Sequence, residues 1–131
     1  MKIVNNNKIV SVGYNGMPHC CHDDEYPWDK NDTALDSKYL YVCHAELNAI
    51  LNARGTNLTG NRLYVALFPC NECAKAIIQS GITEVIYLSN KYKDTPETRA
   101  SKRMLEAAGV KLTQLVPEKN EIVLDFDPNK I

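Results

Sequence analysis

The sequence has no long apolar run and no surplus of basic charge, and each absence excludes a class of function. No stretch approaches the roughly 18 apolar residues of a membrane span, and the polar opening Met1–Lys8 is unlike a secretory signal peptide. The formal net charge is −1, without the basic cluster that polynucleotide-binding proteins usually carry. The sequence therefore predicts a cytoplasmic protein that binds a small ligand, with no nucleic acid and no membrane among its partners.

Cysteine is present, but its spacing does not indicate a disulfide framework. The five cysteines include one C-x-x-C pair, which is more typical of metal binding in a reducing compartment. The 131 residues, 44% hydrophobic and 24% charged, fit one globular domain that spans residues 1–131.

Apolar patterns and glycine stops predict an α/β domain. The run Asn5-Asn6-Asn7 is typical of a tight hairpin between two short strands. Helices are expected where apolar residues repeat at helical spacing before a glycine, and strands where β-formers cluster. The predicted strands are 2–4, 8–14, 62–67, 84–88 and 110–116, the helices are 43–54 (largely buried), 70–80 and 98–108, and 121–126 is an edge strand or a packed tail. This order indicates a mixed sheet of about five strands.

The segment 15–41 has no apolar period and is predicted to be a long loop. Loops of this length usually have a function, and we expect a lid or a subunit contact, with disorder in the free protein as the alternative. Its cluster His19-Cys20-Cys21-His22 is either a polar loop or, with Cys43 or a nearby carboxylate, a second structural zinc site. Adjacent residues rarely ligate one metal well, which favours the polar loop.

Two short motifs carry the chemistry: His44-Ala45-Glu46 and Pro69-Cys70-Asn71-Glu72-Cys73. Cys70 and Cys73 lie three residues apart, so a helix presents both sulfurs on one side, and a helix N-terminus favours their thiolate form. Together with His44 they make three zinc ligands between two helix N-termini. A structural zinc site normally has four protein ligands, whereas a catalytic one leaves a position for water.

The pattern H-x-E followed by P-C-x-x-C is that of the zinc nucleobase deaminases. In that chemistry zinc lowers the pKa of water to about 7, and hydroxide attacks the ring carbon that bears the amine. Glu46 carries the proton to the ring nitrogen and then to the departing ammonia. The alternatives are a structural zinc knot completed by a distant ligand, a redox dithiol, and a merely buried core histidine at His44.

Four segments resemble deoxycytidylate (dCMP) deaminases, those of animals most. The segments are Gly13-Tyr14-Asn15-Gly16-Met17-Pro18, residues 41–50, residues 64–75 and Asp125-Phe126-Asp127, and the resemblance extends over nearly the whole chain. It implies a three-layer cytidine-deaminase-like fold and the hydrolysis of dCMP to dUMP and ammonia, which supplies dUMP for thymidylate synthesis. It also implies one catalytic Zn²⁺ per chain on His44, Cys70 and Cys73, with Glu46 as the proton shuttle.

The resemblance implies substrate contacts as well. The backbone N–H of Ala45 would hold the pyrimidine carbonyl and Asn15 the sugar. Tyr92 would close the cavity near the base and phosphate, unless it is an ordinary surface tyrosine. The phosphate-binding cation is not singled out, and the candidates are Lys75, Lys91, Lys93 and Arg103.

Family members are typically hexamers, so the resemblance implies a homo-oligomer, hexamer or dimer. It also implies activation by dCTP and inhibition by dTTP at a separate site near the Gly13–Pro18 loop, where Mg²⁺ would accompany a nucleotide effector.

One departure from the family is large, because the family normally has a helix and a longer strand before Ile3. That helix covers one sheet face, and we therefore expect exposed apolar surface there. The alternatives are a deaminase of another cytosine nucleoside or nucleotide, and an inactive zinc-binding regulatory subunit.

Overall fold

The computed structural model describes residues 1–30 and 35–130, and these form a five-stranded mixed sheet with three α-helices. The sheet order is β2-β1-β3-β4-β5. The strands are β1 (Lys2–Asn5), β2 (Lys8–Val12), β3 (Arg62–Leu67), β4 (Glu84–Ser89) and β5 (Lys111–Gln114), and the helices are α1 (Ala45–Asn52), α2 (Asn71–Gln79) and α3 (Pro96–Ala107). The predicted α/β class and strand number are confirmed. No helix in these two ranges is long and apolar enough to cross a membrane.

The sheet is antiparallel at one edge and parallel at the other. β1 pairs antiparallel with β2 and β3, whereas β3, β4 and β5 run parallel. The hairpin turns through Asn6 and Asn7, whose φ angles are 48° and 62°. Positive φ at both central residues is what a type I′ hairpin turn requires, so the prediction from the asparagine run is confirmed.

All three helices pack on one face of the sheet. Ile3, Leu63 and Val85 are cross-strand neighbours and are fully buried. They share one hydrophobic core with Ala49 of α1, and the other helix residues of that core include Ile77 of α2 and Leu105 of α3. This core fixes α1 and α2 beside each other, above the carboxyl end of β3.

The opposite sheet face is open. Ile9, Val12 and Leu88 on that face are 62%, 53% and 46% exposed. Beside them, the Glu84 carboxylate lies 3.1 Å from Nε of Arg62 and 4.0 Å from Nζ of Lys111. No α-helix of the described residues covers this face, which agrees with the expectation of exposed apolar surface.

Several predicted boundaries are wrong by one or two residues. Helix α1 is shorter than 43–54, and it is buried on one side only, since Leu51 is 61% exposed. Helix α3 begins at Pro96, before the predicted residue 98, because the Thr95 hydroxyl accepts a hydrogen bond from the Thr98 N–H and caps the helix. Strands β2 and β5 end at Val12 and Gln114, earlier than the predicted residues 14 and 116.

The prediction for residues 121–126 is wrong in both of its forms. No strand is found in this segment. Its apolar side chains do not pack against the domain either, since Ile122 and Phe126 are 82% and 89% exposed. The segment follows β5 and pairs with neither edge strand of the described sheet, β2 or β5.

Candidate metal centre and its cavity

Two helix N-termini bring the three predicted ligands together. His44 is the N-cap residue of α1 and Cys70 is the N-cap residue of α2, both with extended backbone. Cys73 follows in the first turn of α2 and is buried. Nδ1 of His44 lies 3.5 Å from Sγ of Cys70 and 3.5 Å from Sγ of Cys73.

These distances fit a tetrahedral zinc ion. Zn–S bonds of about 2.3 Å and Zn–N bonds of about 2.0 Å place a nitrogen and a sulfur ligand about 3.5 Å apart. The three ligand atoms lie within 4.8 Å of one another, and no other such cluster of His, Cys, Asp and Glu occurs in residues 1–30 and 35–130. The alternative of a second zinc site at His19-Cys20-Cys21-His22 therefore has no support in those ranges.

Neither of the two N-cap residues caps its helix with its side chain. Neither His44 nor Cys70 makes a side-chain cap hydrogen bond, although helix N-caps are usually Ser, Thr, Asp or Asn for that purpose. Their side chains instead turn toward each other in front of the helix ends. The partial positive charge of both N-termini favours thiolate ligands at this point.

The two thiols titrate as a pair. The hydrogen bond with Cys73 lowers the pKa of Cys70 to about 4, with further help from His44. The hydrogen bond to Cys70, together with burial, raises the pKa of the Cys73 thiol. The pair therefore loses its first proton readily, and the second proton leaves most readily when a cation replaces it.

Burial sets the protonation of the carboxyl group beside the ligands. Glu46 is only 8% exposed, and burial raises its pKa. The hydrogen bond with Cys70 and the negative charges of Cys70 and Glu46 raise the pKa of His44, while burial and the Lys38 ammonium act in the opposite direction. A carboxyl group with a raised pKa is suited to exchange protons near neutral pH.

A cavity of about 370 Å³ opens in front of the ligands, within the range of small-molecule sites. His44 and Cys70 lie in its wall, whereas Cys73 lies behind them. The other predicted site residues also line the cavity, namely Asn15, Ala45, Glu46 and Tyr92. The fold thus brings all seven predicted site residues to one place.

One predicted substrate contact is already used within the protein. Oδ1 of Asn15 accepts a hydrogen bond from the Ala45 N–H at 2.9 Å, which is the donor that the resemblance assigns to the pyrimidine carbonyl. Asn48 holds the same loop, because its Nδ2 donates to the Tyr14 carbonyl at 2.8 Å. The positioning role of Asn48 was missed in the sequence, where it reads as an ordinary polar helix residue.

The cations of the cavity were also missed. Lys30 and Lys38 line it, and Lys75, Lys91, Lys93 and Arg103 do not. The long loop that contains Lys30 and Lys38 has no periodic pattern, so the sequence offered only their proximity to His44 as a signal. The predicted loop is confirmed over residues 15–30 and 35–41, with one 3₁₀ turn at Lys38–Leu40, and its residues 31–34 lie outside the described ranges.

Comparison with known proteins gives a consistent family signal. A family model described as the cytidine and deoxycytidylate deaminase zinc-binding region matches residues 2–89. The chain is 55% identical over 127 residues to deoxycytidylate deaminase of Homo sapiens, covering 95% of this chain and 71% of that protein. It is also 55% identical over 127 residues to a probable deoxycytidylate deaminase of Drosophila melanogaster, covering 92% of this chain but 63%, less than two thirds, of that relative.

A solved structure shows the same fold with a nucleotide bound. The dCMP deaminase from the cyanophage S-TIM5, in complex with dCMP and dUMP, superposes with a TM-score of 0.67 at 25% identity. The match covers 87% of this chain and 78% of that one.

Proposed function

The chain belongs to the family of cytidine and deoxycytidylate deaminases, and from that premise we propose that it hydrolyses dCMP to dUMP and ammonia. The observation that carries the proposal is that Glu46 lines the same cavity of about 370 Å³ as His44 and Cys70, two of the three clustered ligand residues. The two relatives that bear the name deoxycytidylate deaminase, at 55% identity, favour dCMP over other cytosine compounds.

The ligand set supports one catalytic zinc ion per chain. His44, Cys70 and Cys73 would hold it, with three protein ligands and a fourth position toward the cavity. When bound, zinc would supply a hydroxide at neutral pH, since it lowers the pKa of its water to about 7. Two thiolates balance the charge of the ion, so Glu46 provides the remaining negative charge at the site.

Glu46 moves the protons of the proposed reaction. Its carboxylate accepts a proton from the attacking water and delivers it to the ring nitrogen next to the amine-bearing carbon. The new C–O bond forms, the C–N bond breaks, and a second proton transfer through Glu46 releases ammonia. Burial raises the pKa of Glu46, and a raised pKa favours a carboxyl group that both accepts and donates a proton.

Backbone and loop groups would orient the base. The Ala45 N–H is the donor for the pyrimidine carbonyl, and Asn15 would turn from Ala45 to the sugar when that carbonyl arrives. The present bond between Asn15 and Ala45 at 2.9 Å keeps both groups in place before substrate binds. Tyr92, 48% exposed at the rim of the cavity, would cover the base.

The resemblance also supports proposals about assembly and control. The chain would function in the cytoplasm as a homo-oligomer, hexamer or dimer, and the exposed Ile9, Val12 and Leu88 support burial of that face in an assembly. Activation by dCTP and inhibition by dTTP, with Mg²⁺ on the effector, would act near the Gly13–Pro18 loop. Light scattering tests the assembly, and ammonia release from dCMP with and without dCTP or dTTP tests the control.

Ammonia release from dCMP tests the proposed activity. The zinc-loaded protein should turn over dCMP, and Glu46→Gln should retain one zinc per chain but lose activity by at least about 100-fold. Glu72→Gln replaces an exposed glutamate in the first turn of α2, serves as the control and should retain activity. Turnover of deoxycytidine without dCMP, or an active Glu46→Gln variant, would contradict the proposal.

A further inference from the structure

The cavity has two cationic side chains, and neither the base nor the sugar of a nucleotide carries a negative charge that would pair with them. Lys30 and Lys38 line it together with one carboxylate, Glu46, which lies at the metal end. Cytosine and deoxyribose carry no charge at neutral pH, whereas a phosphate monoester carries a charge of about −1.5 to −2. Among the described residues, no carboxylate lies within ion-pair distance of either lysine.

Lys38 projects from an anchored turn. Its N–H donates to the Asp29 carbonyl at 3.0 Å, and its carbonyl accepts from the N–H groups of Tyr41 and Val42 at 3.1 and 2.9 Å. The buried Ser37 caps the same turn by accepting a hydrogen bond from the Tyr39 N–H. The side chain is half-buried, so less of its conformational freedom remains to be lost when it binds an anion.

The anchoring bond also places the second lysine. Because the Lys38 N–H reaches the Asp29 carbonyl, Lys30 is held beside the same turn. Nζ of Lys38 lies 5.8 Å from the centre of the Tyr39 ring, which also lines the cavity. Lys38 lines the same cavity of about 370 Å³ as His44 and Cys70, so one small molecule can contact both the lysine and the ligand residues.

The other cations near the site are directed elsewhere. Nζ of Lys75 is 2.7 Å from Glu72 on the outer side of α2. Nζ of Lys91 lies over the Tyr92 ring at 4.9 Å from its centre, but Lys91 itself does not line the cavity. Lys93 and Arg103 line a separate surface groove along α3. Lys30 and Lys38 are thus the basic side chains that the described residues contribute to the cavity.

We propose that Lys38 binds the phosphate of the substrate, with Lys30 as a second cation, and that Lys38 makes the site select a nucleotide over a nucleoside. The inference rests on the proposed function, because it assumes that the base lies at the metal end. The ammonium donates charge-assisted hydrogen bonds to phosphate oxygens at the end of the cavity remote from the reacting carbon. Lys38 is therefore a specificity-determining residue and takes no part in proton transfer.

The test measures binding of two compounds that cannot be deaminated, dUMP and deoxyuridine, to the zinc-loaded protein by calorimetry. Lys38→Met should weaken dUMP binding about 10- to 100-fold, since a hydrogen bond to a charged group accounts for a factor of that order. Deoxyuridine binding should not change. Lys38→Arg should restore most of the affinity for dUMP, and Lys75→Met, which removes an exposed lysine outside the cavity, should change neither constant.

The outcomes separate this inference from the proposed function. Equal losses for dUMP and deoxyuridine in Lys38→Met, or no loss for dUMP, would overturn the role of Lys38. Ammonia release from dCMP by a wild-type protein that binds both compounds equally would retain the deaminase and reject the phosphate contact. Preferential dUMP binding lost in Lys38→Met, without ammonia release, would retain the contact and reject the deaminase.

Discussion

Several residues at this centre occupy positions that lower the stability of the fold. Glu46 is buried at 8% exposure, where a charged carboxylate loses hydration. His44 and Cys70 occupy N-cap positions without capping them. Such residues break local rules for stability, and these departures are expected at functional sites.

The first residue-scale prediction concerns the stability of Glu46→Gln. Burial raises the pKa of Glu46 in the folded state, so the folded protein binds more protons than the unfolded chain above the usual glutamate pKa. Stability must then fall as the pH rises through that range. Glu46→Gln should therefore raise the melting temperature of the metal-free protein at pH 7, and the gain should vanish near pH 4. Calorimetry across this pH range measures the difference.

Glu118→Gln is the matched control for that experiment, since Glu118 is exposed in the segment after β5. Its melting temperature should follow the wild-type protein at every pH. A Glu46→Gln variant that is less stable than wild type at pH 7 would mean that the carboxylate stabilises the fold.

The second residue-scale prediction separates the ligand cysteines from the neighbouring one. Cys73→Ser should reduce zinc affinity by more than about 100-fold, because even outer-shell changes cost about 10- to 100-fold. Cys43→Ser should retain one zinc per chain, since Cys43 precedes His44 in the chain but lies outside the ligand cluster. Metal analysis after dialysis against a weak chelator measures the zinc content of both variants. Loss of zinc in Cys43→Ser but not in Cys73→Ser would show that Cys43, and not Cys73, is the ligand.

Residue identities at the centre were predictable from the sequence, whereas the cations were not. The ligands follow from donor chemistry and spacing, because Cys70 and Cys73 share one helix side and His44 begins another helix. Lys38 depends on a turn fixed by backbone bonds to Asp29, Tyr41 and Val42, and such contacts have no periodic signature.

At the scale of elements, helix α1 is held against β2 by a row of side-chain bonds to backbone. Oγ of Ser11 donates to the Ala49 carbonyl at 2.6 Å, and Nδ2 of Asn52 donates to the Val12 carbonyl at 3.1 Å. Asn48 adds the bond to Tyr14. This row sets the position of the α1 N-terminus, and with it the position of His44 and Glu46 in the cavity.

Close approach of α1 to the end of β2 depends on Gly13. A Cβ atom at this position would fall against the Ala45 carbonyl oxygen and the Ala49 nitrogen, and 2.9 Å from the Ala49 Cα. These are backbone atoms that cannot move aside singly. Gly13→Ala should thus destabilise the fold by about 1–3 kcal/mol or more, and lower the melting temperature by roughly 5–15 °C.

Gly16→Ala provides the control in the same loop, because a Cβ atom there meets nothing within 4 Å. Its melting temperature should stay close to that of wild type, and thermal unfolding of both variants gives the comparison. Equal melting temperatures for Gly13→Ala and wild type would show that α1 is not packed this closely on the strand end.

Element boundaries were predicted less well than the elements themselves. Cys70 was placed inside a helix that begins at Asn71, and residue 43 inside one that begins at Ala45. The reason is physical, since a ligand at an N-cap replaces the Ser, Thr, Asp or Asn that marks a helix start. At α3 an ordinary N-cap residue, Thr95, marks the helix start, so this boundary was predictable from the sequence although the prediction placed it two residues late.

At the scale of the whole molecule, the α/β class and the number of strands were predictable from hydrophobic periodicity, and the surfaces were not. Ile3, Leu63 and Val85 form part of the core because successive side chains of a strand point to opposite faces of the sheet. Ile9 and Val12 on the open face are exposed, and so is Phe126 in the segment after β5. Whether such apolar side chains are buried depends on the surface that packs against them. A pattern within one chain can indicate an apolar face but not the surface that covers it.

The most direct test of the account is a crystal structure of the zinc-loaded protein with diffraction data at the zinc absorption edge. The account predicts one zinc ion bound by Nδ1 of His44 and Sγ of Cys70 and Cys73, with an oxygen ligand from solvent that faces Glu46. A fourth protein side chain on the ion, or zinc at another position, would contradict the account.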